Sequence, residues 1–83
     1  MKRPALILYG RAGCHLCTDM LAELQPHLER HGIRLHTRDV DADPELAQRY
    51  GLRVPVLALG EQEICQYFLD PQALERTLKR NSA

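Results

Sequence analysis

The sequence has no excess of either charge: eleven lysines and arginines stand against eleven aspartates and glutamates, and the formal net charge at pH 7 is zero. No basic field exists to draw in nucleic acid or an anionic membrane surface, so neither is expected as a partner. Long apolar runs are missing too. Nothing approaches the roughly 20 residues that a membrane-crossing helix needs. The start, Met1-Lys2-Arg3-Pro4 followed by Ala5 to Tyr9, has the charge order of a secretion signal, but its apolar run is too short for one. With no export signal legible, the cytoplasm is the expected compartment. Internal repeats, linkers and low-complexity stretches are absent, and residues 1–83 read as one domain. A chain of this length buries only about 60–65% of its unfolded surface, which excludes a large enclosed substrate pocket. Neutrality also gives little protection against self-association.

What is present is a regular alternation of elements. Ala5-Leu6-Ile7-Leu8-Tyr9 is a continuous apolar run, the pattern of a strand covered on both faces. After a loop over residues 10–13, Leu16, Cys17, Met20, Leu21, Leu24 and Leu28 recur at helical spacing, with Pro26 expected to kink that helix or end its first part and Gly32 to close it. Ile33, Leu35 and Thr37 alternate with Arg34, His36 and Arg38, a second strand. Asp43-Pro44 opens a short helix that ends at Tyr50-Gly51. A third strand follows over Val54 to Leu59, a turn, and a fourth strand over Glu63 to Phe68. Asp70-Pro71 then caps a last helix to about Arg80, with Leu69 placed to staple onto Leu74. The order is β-α-β-α-β-β-α, an α/β chain with four strands and three helices. Helical crossovers between the first three strands predict parallel pairing among them, and the last two strands form an antiparallel hairpin.

Cysteine is scarce, with three residues, and two of them lie three positions apart in Gly13-Cys14-His15-Leu16-Cys17, where the first strand gives way to the first helix. Such a pair can close a small disulfide ring, and a helix N-terminus favours the anionic form of the first sulfur. Cytoplasmic thiols are mostly reduced, so a CxxC there is more often catalytic or metal-binding than structural. The plainer reading is two small core residues at a helix start. Metal binding is the rival chemistry, but a closed zinc site takes four ligands. Cys65 belongs to another strand, and His27, His31 and His36 show no spacing paired with it. Neither a metal site nor a cofactor is assigned.

The element order, the CxxC at the first strand–helix junction and Val54-Pro55 leading the third strand together resemble the thioredoxin superfamily, and within it small glutaredoxin-like proteins. Tyr9-Gly10-Arg11-Ala12-Gly13-Cys14-His15-Leu16-Cys17 is similar to the glutaredoxin active-site segment, and Arg53-Val54-Pro55-Val56-Leu57 to the segment bearing that family's cis-proline. The resemblance implies a thioredoxin-like fold with a four-stranded mixed sheet. It also implies a dithiol thiol–disulfide oxidoreductase in which Cys14 attacks and Cys17 resolves. The departures are specific: no Trp precedes Cys14, and His15-Leu16 stands where glutaredoxins commonly carry Pro-Tyr. The stretch Gln66-Tyr67-Phe68-Leu69-Asp70-Pro71 lacks the Gly-Gly pair that helps glutaredoxins grip glutathione, and Pro71 has no N–H to donate.

The expected substrate is a protein or small-molecule disulfide, and the electron donor stays open between glutathione and a reductase. Substrate-side residues are Arg11, His15, Val54 and Pro55. Arg11 can approach the Cys14 sulfur from the loop; Arg11 and Arg53 either flank the substrate groove and bind carboxylates or an acidic partner, or lie on the surface as ordinary arginines. His15 either tunes the thiolate or is an inert exposed residue. Pro55, if cis as the resemblance implies, leaves the Val54 backbone free to pair with an extended substrate; a trans proline at a strand start is the alternative. Cys65 reads as a buried, inert thiol. The competing function is a non-catalytic module of the same fold, docking on a partner protein or holding a metal or iron–sulfur cluster through Cys14 and Cys17.

Overall fold

A computed structural model describes residues 5–81 of the chain, so the reading of Met1-Lys2-Arg3-Pro4 lies outside the described residues. The elements are strand β1 (Leu6–Gly10), helix α1 (His15–His31), strand β2 (Leu35–Asp39), a single 3-10 turn (Val40–Ala42), helix α2 (Pro44–Tyr50), strands β3 (Val56–Leu59) and β4 (Gln62–Gln66), and helix α3 (Pro71–Asn81). The sheet order is β2-β1-β3-β4, with β1 and β2 parallel and the pairs β1–β3 and β3–β4 antiparallel. This is the α/β thioredoxin-like fold, a four-stranded mixed sheet with three helices. Among the described residues no helix is long and apolar enough to cross a membrane.

The expected parallel pairing of β3 with β1 is overturned: Leu6 faces Leu59 and Tyr9 faces Val56, so the strands run in opposite directions. Connector length explains the reversal. A helix of seven residues spans about 10 Å, less than the roughly 17 Å that five strand residues cover. α2 alone does not carry the chain back to the far end of the sheet, and β3 starts where β1 and β2 finish. That reversal has a functional consequence. It brings the start of β3 to the end of β1 from which the cysteine loop departs.

The strand pleat sorts side chains into two layers. Leu6 and Leu8 of β1 and Leu57 and Leu59 of β3 pack on one face against Met20 and Leu24 of α1 and Leu74 and Leu78 of α3. Tyr9, Val56 and Ala58 turn to the other face, where Val40 and Tyr50 cover them; the Tyr9 and Tyr50 rings stack with centroids 4.0 Å apart. Leu69 packs, partly buried, against the first layer, to which Leu74 belongs.

Pro26 does not end α1, which continues to His31. Pro26 sits on the exposed side of the helix. Beyond it, the last turns are tied down by Leu28 against the core and by His27 and His31 against Glu75 of α3. Gly32, in the left-handed region at φ 58°, closes the helix as expected, its N–H donating to the Glu29 carbonyl.

Candidate functional site

The cysteine loop is built by backbone geometry. Gly13 has φ 75°, a conformation that favours glycine, and it delivers Cys14 in extended geometry as the N-cap of α1. The Cys14 N–H donates to the Arg11 carbonyl at 3.3 Å, which closes the turn. Cys14 Sγ then does what a serine oxygen does at an N-cap: it accepts the Cys17 N–H at 3.1 Å. Cys14 and Cys17 are joined in a disulfide, with Cα atoms 5.2 Å apart. No acidic residue occupies the first turn of α1, so nothing there opposes negative charge on the Cys14 sulfur. Gly10 makes room for the second cysteine. A Cβ at that position would lie 2.9 Å from Cys17 Sγ, so the helix can seat Cys17 against β1 only because residue 10 has no side chain.

The other face of the site comes from the start of β3. The Val54–Pro55 peptide is cis, and Pro55 is fully buried. With Tyr9 opposite Val56, the register sets Pro55 at the level of Gly10, the residue on which Cys17 rests. The Pro55 carbonyl accepts the Tyr67 N–H at 2.9 Å, while the Val54 backbone has no hydrogen-bond partner among the described residues.

The flanking residues divide. His15 is exposed at the first position of α1. Arg11 is engaged by a carboxylate. Its guanidinium pairs with Asp41 at 3.0 Å, and its Nε is buried with no hydrogen-bond partner among the described residues. Arg53 is held by its own fold: it donates to Glu63 at 2.7 Å, to Gln66 at 3.0 Å and to the Arg49 carbonyl at 2.9 Å, and lies over the Tyr50 ring. The Arg53 guanidinium holds the Glu63 carboxyl below its usual range, chiefly through the hydrogen bond. Cys65 pairs with Leu57 in the hairpin and packs half-buried against the core; burial pushes its thiol up, away from the reactive thiolate. Among the described residues no group of three or more His, Cys, Asp or Glu side chains is arranged to hold a metal ion.

One part of the surroundings has no counterpart in the sequence reading. β4 stops at Gln66, short of the expected Phe68, because Tyr67 adopts φ 67° and breaks the strand. A non-glycine residue there costs on the order of 1 kcal/mol. The Tyr67 hydroxyl donates to the Leu52 carbonyl at 3.0 Å, which helps hold the turn. The turn pushes Phe68 outward, where it is 70% exposed. No glycine or asparagine marks position 67, so the usual sequence signal for such a turn was absent.

A family model described as "Glutaredoxin-like domain (DUF836)" matches residues 5–79. The chain is 33% identical over 90 residues to the uncharacterized protein Rv0508 of Mycobacterium tuberculosis, an alignment covering 99% of this chain and 90% of that one. The solution NMR structure of protein Ne2328 from Nitrosomonas europaea superposes with a TM-score of 0.82 at 34% identity, covering 93% of each chain. Oxidized mitochondrial thioredoxin 3 from Saccharomyces cerevisiae superposes at 0.67 with 24% identity, over 96% of this chain and 80% of that one, a likeness of fold alone. The cysteine ring at the head of α1 thus sits on a thiol–disulfide redox fold, and with the match running from β1 into α3 the chain belongs to the glutaredoxin-like domain family.

Proposed function

We propose that this protein is a dithiol thiol–disulfide oxidoreductase, with Cys14 as the nucleophile and Cys17 as the resolving cysteine. The observation that carries the reading is the Cys14 sulfur at the N-cap of α1, hydrogen-bonded to the Cys17 N–H and within bonding reach of the Cys17 sulfur. In the reduced protein the same N–H and the positive end of the helix stabilise a Cys14 thiolate. That thiolate attacks a substrate disulfide, forming a mixed disulfide and releasing one substrate thiolate. Cys17, as thiolate, then attacks the Cys14 sulfur, closes the ring and releases the second. Two electrons pass from the dithiol to the substrate, and an external thiol or reductase returns them.

Pro55 and the unpaired Val54 backbone form the shelf on which an extended substrate pairs. His15, exposed beside the nucleophile, tunes the thiolate, and Arg11 acts from the loop through the backbone carbonyl that orders Cys14. Substrates are protein or small-molecule disulfides, the donor is glutathione or a reductase, and the compartment is the cytoplasm.

Titration of the Cys14–Cys17 pair against glutathione buffers, read by alkylation mass shift, tests the reading. A two-electron midpoint between about −280 and −180 mV is expected, the range of thioredoxin-like and glutaredoxin-like exchangers. Absence of an equilibrating disulfide would sink the proposal. The Cys17→Ser variant should in turn accumulate mixed disulfides on Cys14.

A further inference from the structure

Leu16, Asp19, Met20 and Glu23 follow one another at spacings of three, one and three, and so form one stripe along α1 that descends from the cysteine ring. Tyr67 and Phe68 stand opposite that stripe, and the two walls enclose an open groove of about 270 Å³. The apolar side is exposed. Phe68 is 70% exposed and Tyr67 39%, on a turn held in the left-handed region.

The charged side has a definite sign. Asp19 and Glu23 are four residues apart on the helix and meet no cation among the described residues, an arrangement that is mildly destabilising until a positive charge arrives. Arg11 and Arg53 do not supply it, since Arg11 is taken by Asp41 and Arg53 by Glu63.

We propose that this groove binds the polypeptide that flanks the substrate cysteine and selects sequences that place lysine or arginine next to apolar residues. The proposal rests on the redox reading above. Its spacing follows from geometry: Asp19 and Glu23 lie about 7.5 and 13.5 Å along the helix from Cys14 at 1.5 Å per residue, and an extended peptide covers those distances in about two and four residues. A substrate cysteine joined to Cys14 therefore puts its residues at offsets two and four beside the two carboxylates, with apolar side chains between them against Leu16 and Phe68.

The test uses the reduced full-length protein and three synthetic peptides, each with one cysteine capped as a mixed disulfide with thionitrobenzoate. The peptides carry Lys, Gln or Glu at offsets two and four, and differ in nothing else. Attack by the Cys14 thiolate on the peptide sulfur releases the coloured thionitrobenzoate anion. Each rate is divided by that peptide's rate with dithiothreitol, which removes its intrinsic reactivity.

The Lys peptide should react about tenfold faster than the Glu peptide at low salt, with Gln between them and the gap narrowing as salt rises. In Asp19→Asn/Glu23→Gln the Lys-to-Glu ratio should fall close to one, a readout that a structural role for those carboxylates would not move. Equal normalised rates for the three peptides would overturn the proposal, as would a ratio that survives the double substitution. A dimer that forms at assay concentration and is abolished by Phe68→Ser would assign the groove to a second copy of this chain and overturn it as well. If hydroxyethyl disulfide, which has no flanking peptide, also failed to react faster than with a free thiol, the redox reading itself would fall; reaction with that probe alongside equal peptide rates removes only the groove assignment.

Discussion

At its N-terminus α1 offers backbone N–H groups to a sulfur and carries no acidic residue in its first turn; at its C-terminus it presents Arg30 and His31 in its last turn. The first end carries the Cys14–Cys17 disulfide, the proposed redox centre. The second is an anchor: His27 Nδ1 and His31 Nε2 each lie 2.8 Å from a Glu75 carboxylate oxygen on α3, and Arg30 stands 3.8 Å away. An ionised carboxylate only accepts, so both imidazoles donate to it. Their hydrogen bonds, His27 first, hold the Glu75 carboxyl below its usual range. One helix macrodipole thus favours an anion at the cysteine end and positive charge where two helices are fastened together. The difference teaches that the proposed reactive end and the anchor are distinct places, about fifteen residues apart on a single rod.

That separation can be broken or sharpened by substitution. Cys14→Ser should reduce exchange with hydroxyethyl disulfide to the uncatalysed rate. The stability of the reduced protein, measured by urea unfolding, should move by about 0.5 kcal/mol or less, because serine is itself a good N-cap. A large loss of stability would show that the reactive end also anchors. Gly10→Ala comes next. The new Cβ meets the Cys17 sulfur, and such overpacking should cost about 1–3 kcal/mol in the oxidised protein.

Glu75→Ala should cost about 1–2 kcal/mol near neutral pH through two lost hydrogen bonds, and leave the exchange rate of the folded protein unchanged. The sign of its pH dependence follows from the lowered carboxyl. The stabilisation from Glu75 is full above its ordinary value of 4.5 and fades as pH falls through its lower folded value. Thermal unfolding curves of the two proteins should therefore converge below about pH 4.5. If they diverged instead, the clamp would not depend on an ionised Glu75. Arg30→Ala is the smallest change, within about 0.5 kcal/mol, since its contact is long and solvent-screened.

The cysteine ring at the head of α1 was legible because its signals are local. Cys14, Cys17 and the apolar stripe of α1 sit within one short stretch, and Asp43-Pro44 and Asp70-Pro71 mark helix starts by their own chemistry. What escaped depends on distance in sequence or on the length of connectors. The direction of β3 followed from how far seven helical residues reach, not from any residue in β3 itself. The pairing of Arg11 with Asp41 joins residues thirty apart, and a basic residue beside a CxxC gives no sign that its charge is already engaged. The clamp on Glu75 needed two histidines to meet a carboxylate 44 and 48 positions away. The Tyr67 turn escaped for the opposite reason: its cause is local, but a tyrosine does not advertise it.

The sheet order leaves β2 and β4 as the outer strands, each with one row of backbone groups facing away from the sheet. A chain with no net charge has no long-range repulsion to keep two such rows apart. The protection has to be local, and it is visible strand by strand. β2 is five residues long, with His36, Arg38 and Asp39 exposed along it. β4 is equally short, carries Glu63 in its ion pair with Arg53, and joins β3 through a register irregularity at Leu57/Ala58. Short length, edge charge and a break in register are the devices that stop strands of neighbouring molecules from pairing. In this neutral protein, protection against edge-to-edge pairing falls to the sheet edges rather than to overall charge.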